Sequence, residues 1–461
     1  MLSRTQSCRG EPCSPVSNTY NFSGRTRFAP TVIVFVLIIL LTFNAVPAFA
    51  EPAELELHSH AAILMDPRTW NVLFEQNARE QLPPASLTKI MTAILAIELG
   101  DLDEFVVVSE NAMDYGLSPL AARLGLLDGE EMRLRDLVSA IMLTSGNDAA
   151  NVIAEHIGGD IHTFVTMMNL RAIQLGAFDT FFMNPTGLHH DEHLSTAYDM
   201  AMISRFAMTI PEFRQIVAVA HLYLDGTDLH PEPRYIINTN SMISRMRTPE
   251  YYFAPTIGVK TGFTSQAGLC LAAAAGRNRP FELISVTLGA PHGGTAQYAF
   301  VDTTALFNFG YANFLEYRVA PRGQTLEEVR LRHGRNSRHL ILEAGTPLTI
   351  LFPRDSEVSN IVPNPILPNY VIAPIEQGDV IGEIEFIYDG VVIGRTDLVA
   401  SVDAPMRAFG FVFLALDWIW SLLLVRIIVY AVMVVAGLFV LLFLIGLVNA
   451  IRRSKRRSRR R

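Results

Sequence analysis

Ser86 and Lys89 stand three positions apart, ahead of Ile90, Met91, Ala93, Ile94, Leu95 and Ile97. That run is apolar nearly all round a helix, the pattern of a buried one, and positions i and i+3 share a helix face. A serine hydroxyl is a weak nucleophile until a neighbouring base takes its proton. An amine at this spacing is a candidate base, at a helix N-terminus whose dipole favours developing negative charge. Lysine ordinarily titrates near ~10.4, so the role requires burial and a second positive charge, Lys260, to lower it. Pro83 and Pro84 stiffen the approach to the serine.

Lysine usage strengthens this reading. Of 37 basic residues, only Lys89, Lys260 and Lys455 are lysine. Arginine stays protonated, whereas a buried lysine can lose its proton and act as a base. Lys455 lies in a basic tail where either residue serves, which leaves Lys89 and Lys260 as lysines kept for a reason.

Two further constellations carry candidate chemistry. Ser145-Gly146-Asn147 falls between two helical stretches, Leu134 to Leu143 and Asp148 to Ile157. There the Ser145 hydroxyl can relay a proton and the Asn147 amide can hold a substrate amide. Lys260-Thr261-Gly262, with Phe263 and Thr264, lies among β-leaning residues that predict two antiparallel strands turning near Gln266-Ala267-Gly268. Gly262 lets a substrate backbone approach the strand, while Lys260, Thr261 and Thr264 can hold a carboxylate. Each triplet alone is unspecific; the first fits an ordinary capped turn.

These elements sit within a chain of 461 residues, long enough for two or three domains. After Arg25 and Arg27 an apolar stretch, Val32 to Leu41, leads to Ala48-Phe49-Ala50, the three parts of a secretory signal over residues 1–50. From about Glu316 short alternating segments replace long helices, and Asp389-Gly390 gives a hairpin signal, so 316–404 is predicted as a small β-sandwich. Residues 405–426, with Trp418 and Trp420, read as an interfacial apolar segment. Residues 427–449 are long and apolar enough for a transmembrane helix, and 450–461 form a basic tail. Positive charge stays on the cytoplasmic side, so the tail is expected inside, touching anionic lipid, and the body outside.

The chain carries a net charge of −8; the tail holds eight positive charges and the leader four arginines against Glu11, which leaves −19 on residues 51–451. So acidic a body argues against a nucleic-acid partner. Cys8 and Cys13 lie in the leader, so Cys270 is alone in the body and forms no disulfide framework. His189, His190 and His193 do not have a recognised zinc spacing; neither a metal nor a cofactor is expected.

Ser-x-x-Lys on a helix, Ser-x-Asn on an interhelical loop and Lys-Thr-Gly on a strand, in that order, is the motif set of penicillin-binding proteins and class A β-lactamases. The chain resembles the low-molecular-mass penicillin-binding proteins, the serine D-alanyl-D-alanine carboxypeptidases of peptidase family S11. The resemblance lies in Pro84 to Thr92, Ser145 to Ala149 and Gly258 to Gly262, with Asn184 to His189 and His193 to Ala201 between them.

The resemblance implies an α/β (α+β) fold, with an antiparallel sheet flanked by helices and a helical lobe over 51–315. Ser86 is then the acyl-ester nucleophile, Lys89 its proton acceptor and Ser145 a proton relay. Asn147, Lys260, Thr261, Gly262 and Thr264 bind substrate, and the backbone N–H groups of Ser86 and Phe263 form the oxyanion hole. The implied substrate is a peptidoglycan stem peptide, and β-lactam antibiotics are implied inhibitors. Two departures stand out: Phe263 occupies a position often held by histidine, and Gln297 a place where some relatives carry an arginine. A β-lactamase is the nearest rival, but no Glu-x-x-Leu-Asn segment lies between Ser145 and Lys260. A D,D-endopeptidase uses the same site, and a wall-binding scaffold has no need of the three motifs.

Overall fold

The computed structural model describes residues 55–421 and 423–458, so the expected signal segment lies outside the described residues. The helix Lys89–Leu99 is the hub of the helical lobe. It touches Leu134–Leu143, Asn147–Gly158, Ile161–Gln174, Ala197–Thr209 and Pro211–Val217. That encirclement explains its all-round apolar sequence: residues 89–96 are all buried. Fully burying a leucine or isoleucine side chain is worth about 1.5–3 kcal/mol, so this one helix ties the lobe together.

Beside the lobe stands a five-stranded antiparallel sheet in the spatial order Val72–Gln76, Ala61–Met65, Leu283–Ala290, Gly268–Ala275, Thr256–Thr264. Helices cover both faces. Ile63, Met65, Ile284 and Val286 join the core shared with the lobe, while the alternate residues Leu64 and Leu283 meet the helix Tyr298–Asn313 at Gly310. A strand buried on both faces loses alternation, and Ala272–Ala275 is such a run.

The predicted β-sandwich is a six-stranded sheet with a two-stranded ribbon. The sheet runs Val362–Ile366, Val380–Tyr388, Val391–Ala400, His339–Ala344, Thr325–Arg332, Val371–Ile372. The ribbon pairs Phe314–Ala320 with Leu348–Pro353. Asp389 (φ +48°) and Gly390 (φ +80°) make the hairpin turn that needs two left-handed residues. Leu340, Leu342, Ile384, Phe386 and Leu398 form an apolar core of their own. Arg68 bonds Glu316, and Asn71 Nδ2 donates to the Ile393 carbonyl at 2.6 Å, tying the first hairpin of the five-stranded sheet to this domain.

An apolar helix, Gly410–Ser421, precedes a second one, Leu423–Ser458. Within the latter, Arg426–Asn449 is long and apolar enough to cross a membrane. Its 24 residues span roughly 36 Å at 1.5 Å per residue.

Candidate active site

The Ser86–Lys89 motif does not begin on the hub helix itself. Ala85–Thr88 form one turn of 3-10 helix, and Lys89 is the first residue of the α-helix. Ala85 holds φ +49°, a left-handed conformation that costs a non-glycine residue roughly 1–3 kcal/mol. The kink leaves Ser86 half-buried on the cleft wall while the Lys89 side chain turns inward and is 0% exposed.

Three groups surround the Lys89 amine. Nζ lies 3.1 Å from Ser86 Oγ and 2.8 Å from Asn147 Oδ1, and it also bonds the Thr186 carbonyl. The Asn147 amide is oriented by its other end, because Nδ2 donates to the Ala122 carbonyl at 2.9 Å. Asp148 fixes that segment in turn, accepting the N–H groups of Leu124 and Gly125 at 2.8 Å and of Leu126 at 3.3 Å. Burial pushes the Lys89 pKa well below the ordinary lysine value; the Lys260 charge adds to this and the Asp148 charge opposes it.

Thr186 belongs to a turn built on Asn184, whose Oδ1 accepts N–H bonds from Thr186 and Gly187 and a hydroxyl bond from Thr186. Thr92 Oγ1 donates to the Pro185 carbonyl at 2.7 Å. Gly187 has φ +79°, and a Cβ there would sit 1.9 Å from the Ala85 carbonyl oxygen, so only glycine allows this turn against the nucleophile turn.

His193 braces the same turn from behind. Its Nδ1 accepts the Met183 N–H at 3.1 Å, so Nε2 carries the proton and donates to Thr88 Oγ1 at 2.8 Å. The Thr88 hydroxyl passes the chain on to the Ala85 carbonyl at 2.8 Å. Burial lowers the His193 pKa to about 3, which keeps the ring neutral. Both of its ring nitrogens are used inside the protein, whereas His189 and His190 are exposed.

Ser145 lines the cleft in a left-handed conformation, φ +65°, although Gly146 follows it. Its hydroxyl has no hydrogen-bond partner among the described residues, which leaves it available to a ligand. Lys260 is 0% exposed, and its Nζ donates to the Thr261 carbonyl at 2.8 Å. Burial lowers its pKa to about 7. Neither lysine lines the cleft; both lie beneath its floor.

The structure adds detail to three of the expected roles. Lys260 is fully buried, with its amine bonded to the Thr261 carbonyl. Asn147 lines the cleft while bonded to Lys89 and Ala122, which leaves its second amide N–H unused. Gly262 faces its own chain: a Cβ there would stand 3.1 Å from the Pro84 carbonyl oxygen and 3.2 Å from both Ala85 Cβ and the Ser86 nitrogen. The absent side chain makes room for the nucleophile turn.

The cleft above holds about 880 Å³. Thr261 Oγ1 faces it while hydrogen-bonded to Thr239 Oγ1 at 2.6 Å, and Thr264 Oγ1 accepts the Ala267 N–H at 3.0 Å, keeping its own proton to donate. Phe263 is half-exposed at the rim and stacks edge-on with His292. Gln297 and the exposed Arg247 also line the cleft.

Sequence reasoning missed Thr186, Thr239, Arg247 and the bracing role of His193. Of these, only the Asn-Pro-Thr-Gly turn had a readable signal, as an Asn-led turn.

Residues 48–292 match the D-alanyl-D-alanine carboxypeptidase family, peptidase S11, and residues 314–405 match the C-terminal domain of penicillin-binding protein 5. The chain is 31% identical to D-alanyl-D-alanine carboxypeptidase DacF of Bacillus subtilis, over 81% of this chain and 94% of that protein. It is 30% identical to DacC of Escherichia coli, over 78% and 89%. Penicillin binding protein 5 from Haemophilus influenzae has a similar structure, with TM-score 0.63 and 27% identity over 77% of this chain and 99% of that one. The chain is a member of the S11 family of D-alanyl-D-alanine carboxypeptidases.

Proposed function

We propose that Ser86 removes the terminal D-alanine of a peptidoglycan stem peptide through an acyl-enzyme, with Lys89 as the base. One observation carries this. A neutral amine has two N–H donors and one lone pair, and two of its three partners, Asn147 Oδ1 and the Thr186 carbonyl, can only accept. Both N–H bonds are thereby used, and the lone pair is left for the Ser86 hydroxyl.

The steps follow from that arrangement. Ser86 Oγ bonds the carbonyl carbon between the two D-alanines as its proton moves to Lys89 Nζ. Charge develops on the carbonyl oxygen, facing the Ser86 and Phe263 N–H groups; such donors are typically worth ~2.7–4 kcal/mol each. The C–N bond breaks as the proton returns through the Ser145 hydroxyl to the leaving nitrogen, and water then hydrolyses the ester. Thr261, Thr264 and Arg247 receive the substrate carboxylate, with the Lys260 charge held beneath them. β-Lactams acylate the same serine.

Residues 51–315 form the catalytic body in this reading, and 316–404 the domain that carries it above the membrane. Arg426–Asn449 spans the bilayer. The basic tail lies on the cytoplasmic side, with the body outside.

The test uses purified protein with fluorescent penicillin and, separately, with a pentapeptide ending in D-Ala-D-Ala. Labelling and released D-alanine are expected, both lost in Ser86→Ala. Labelling that survives Ser86→Ala overturns the site, and rapid penicillin turnover points to a β-lactamase.

A further inference from the structure

The β domain carries a basic turn that catalysis does not use. Between the strands Thr325–Arg332 and His339–Ala344, the chain places Arg330, Arg332, Arg335 and Arg338 within nine residues, all exposed. Among the described residues none of them forms an ion pair. Arg332 stacks on the ring of Tyr370 at 3.8 Å, which holds its guanidinium at the surface.

The backbone fixes where this turn sits. Arg335 N–H donates to the Pro405 carbonyl at 2.9 Å, and Arg407 N–H donates to the His333 carbonyl at 2.8 Å. Gly334 and Met406 form an isolated bridge between those bonds. Arg407, also exposed, therefore joins the patch. Three residues later the apolar helix Gly410–Ser421 begins, with Phe411 and Trp418 both 66% exposed.

Three residues reach at most about 10 Å. The polar layer of each leaflet is roughly 5–8 Å deep, and screening at physiological salt acts over ~8 Å. An arginine patch so close to an apolar helix lies within reach of the headgroups. The patch holds five arginines; Asp403 and Asp379, although hydrogen-bonded to the Gln377 and Glu376 N–H groups, keep their charges, and the arginines outnumber them. Glu328 is the one acid on the same strand face as Arg330 and Arg332.

We propose that the Arg330–Arg338 turn with Arg407 docks on anionic phospholipid headgroups of the leaflet facing the body. The β domain is then held at two points, the span and the turn, which sets the direction the cleft faces. This rests on reading Arg426–Asn449 as a membrane span. Lipid is the partner favoured by continuity with that span; a soluble polyanion has no reason to meet the turn beside an apolar helix.

The test reconstitutes the full chain in nanodiscs of phosphatidylcholine alone or with phosphatidylglycerol, and follows backbone hydrogen exchange over residues 333–339 and 405–407. Anionic lipid is expected to slow exchange by about tenfold or more, reversibly in high salt. The combined variant Arg330→Gln, Arg332→Gln, Arg335→Gln and Arg338→Gln abolishes the slowing while exchange over Val380–Tyr388 and Val391–Ala400 in neutral discs stays as slow as in the wild type, which shows that the β domain folds. Equal exchange in the two discs overturns the proposal. So does slowing by soluble poly(glycerol phosphate) in neutral discs with none from anionic lipid. Release of the chain from discs by alkaline washing overturns the span itself, and the docking with it.

Discussion

The catalytic body and the β domain are both built on antiparallel sheets, yet they fill their interiors differently. Among the described residues, every buried polar or charged side chain except Thr396 lies between Ser59 and Thr303. The body encloses two lysines, a histidine and several carboxylates; the β domain encloses leucine, isoleucine and phenylalanine. Buried polar groups cost free energy unless each has a partner. The body accepts that cost where partners cross the fold, as between Lys89 and Thr186 or Thr88 and His193. The lesson is that one region is organised to enclose an amine whose pKa burial lowers, and the other to be stable.

Substitutions can break this contrast. The largest effect is expected from Lys89→Arg, which supplies a similar basic side chain that stays protonated and so cannot take a proton. Penicillin acylation should fall on the order of 10³-fold, the range of a lost general base, and stopped-flow labelling measures it. Substantial residual activity would remove Lys89 from the proton path. Next comes Gly262→Ala. Its methyl would crowd Pro84, Ala85 and the Ser86 nitrogen, and a displaced nucleophile turn should cost about 10²-fold in acylation. Wild-type rates would mean that the turn yields freely.

The pH dependence of stability sharpens the comparison further. Lys260 has a folded-state pKa of about 7, below its ordinary 10.5, so between those values the unfolded chain binds the extra proton. Stability of the body therefore rises as pH increases through that window. Urea melts at pH 7 and pH 9 should show the rise, and Lys260→Met should reduce it, with Lys89 supplying a remainder of the same sign. The smallest effect on chemistry is expected from Leu342→Ala. It should cost the β domain about 2–5 kcal/mol through a cavity and leave the acylation rate of folded protein unchanged.

The two regions were also unequally legible. Periodicity gave the helix Leu134–Leu143 to the residue, and Asp389-Gly390 marked its hairpin, because local propensity and patterning decide both. The resemblance to a known motif set, and not spacing alone, grouped Ser86, Lys89, Asn147 and Lys260. What escaped were contacts made by backbone carbonyls and by absent side chains. Thr186 reaches Lys89 through its carbonyl across 97 positions, and any residue type has a carbonyl. Gly262 reads as room for a substrate until the Pro84–Ser86 backbone is seen filling that space. The left-handed Ala85 and Ser145 are imposed by tertiary packing, since neither residue type favours positive φ.

The central claim is that Lys89 holds its proton loosely enough to take one from Ser86. With only three lysines in the chain, protein labelled with 13C at lysine Cε gives a spectrum in which each resonance can be assigned by loss in Lys89→Arg, Lys260→Arg and Lys455→Arg. The account predicts that the Lys89 resonance titrates well below the ordinary lysine range. A Lys89 resonance that stays that of an ammonium until about pH 10 would contradict it.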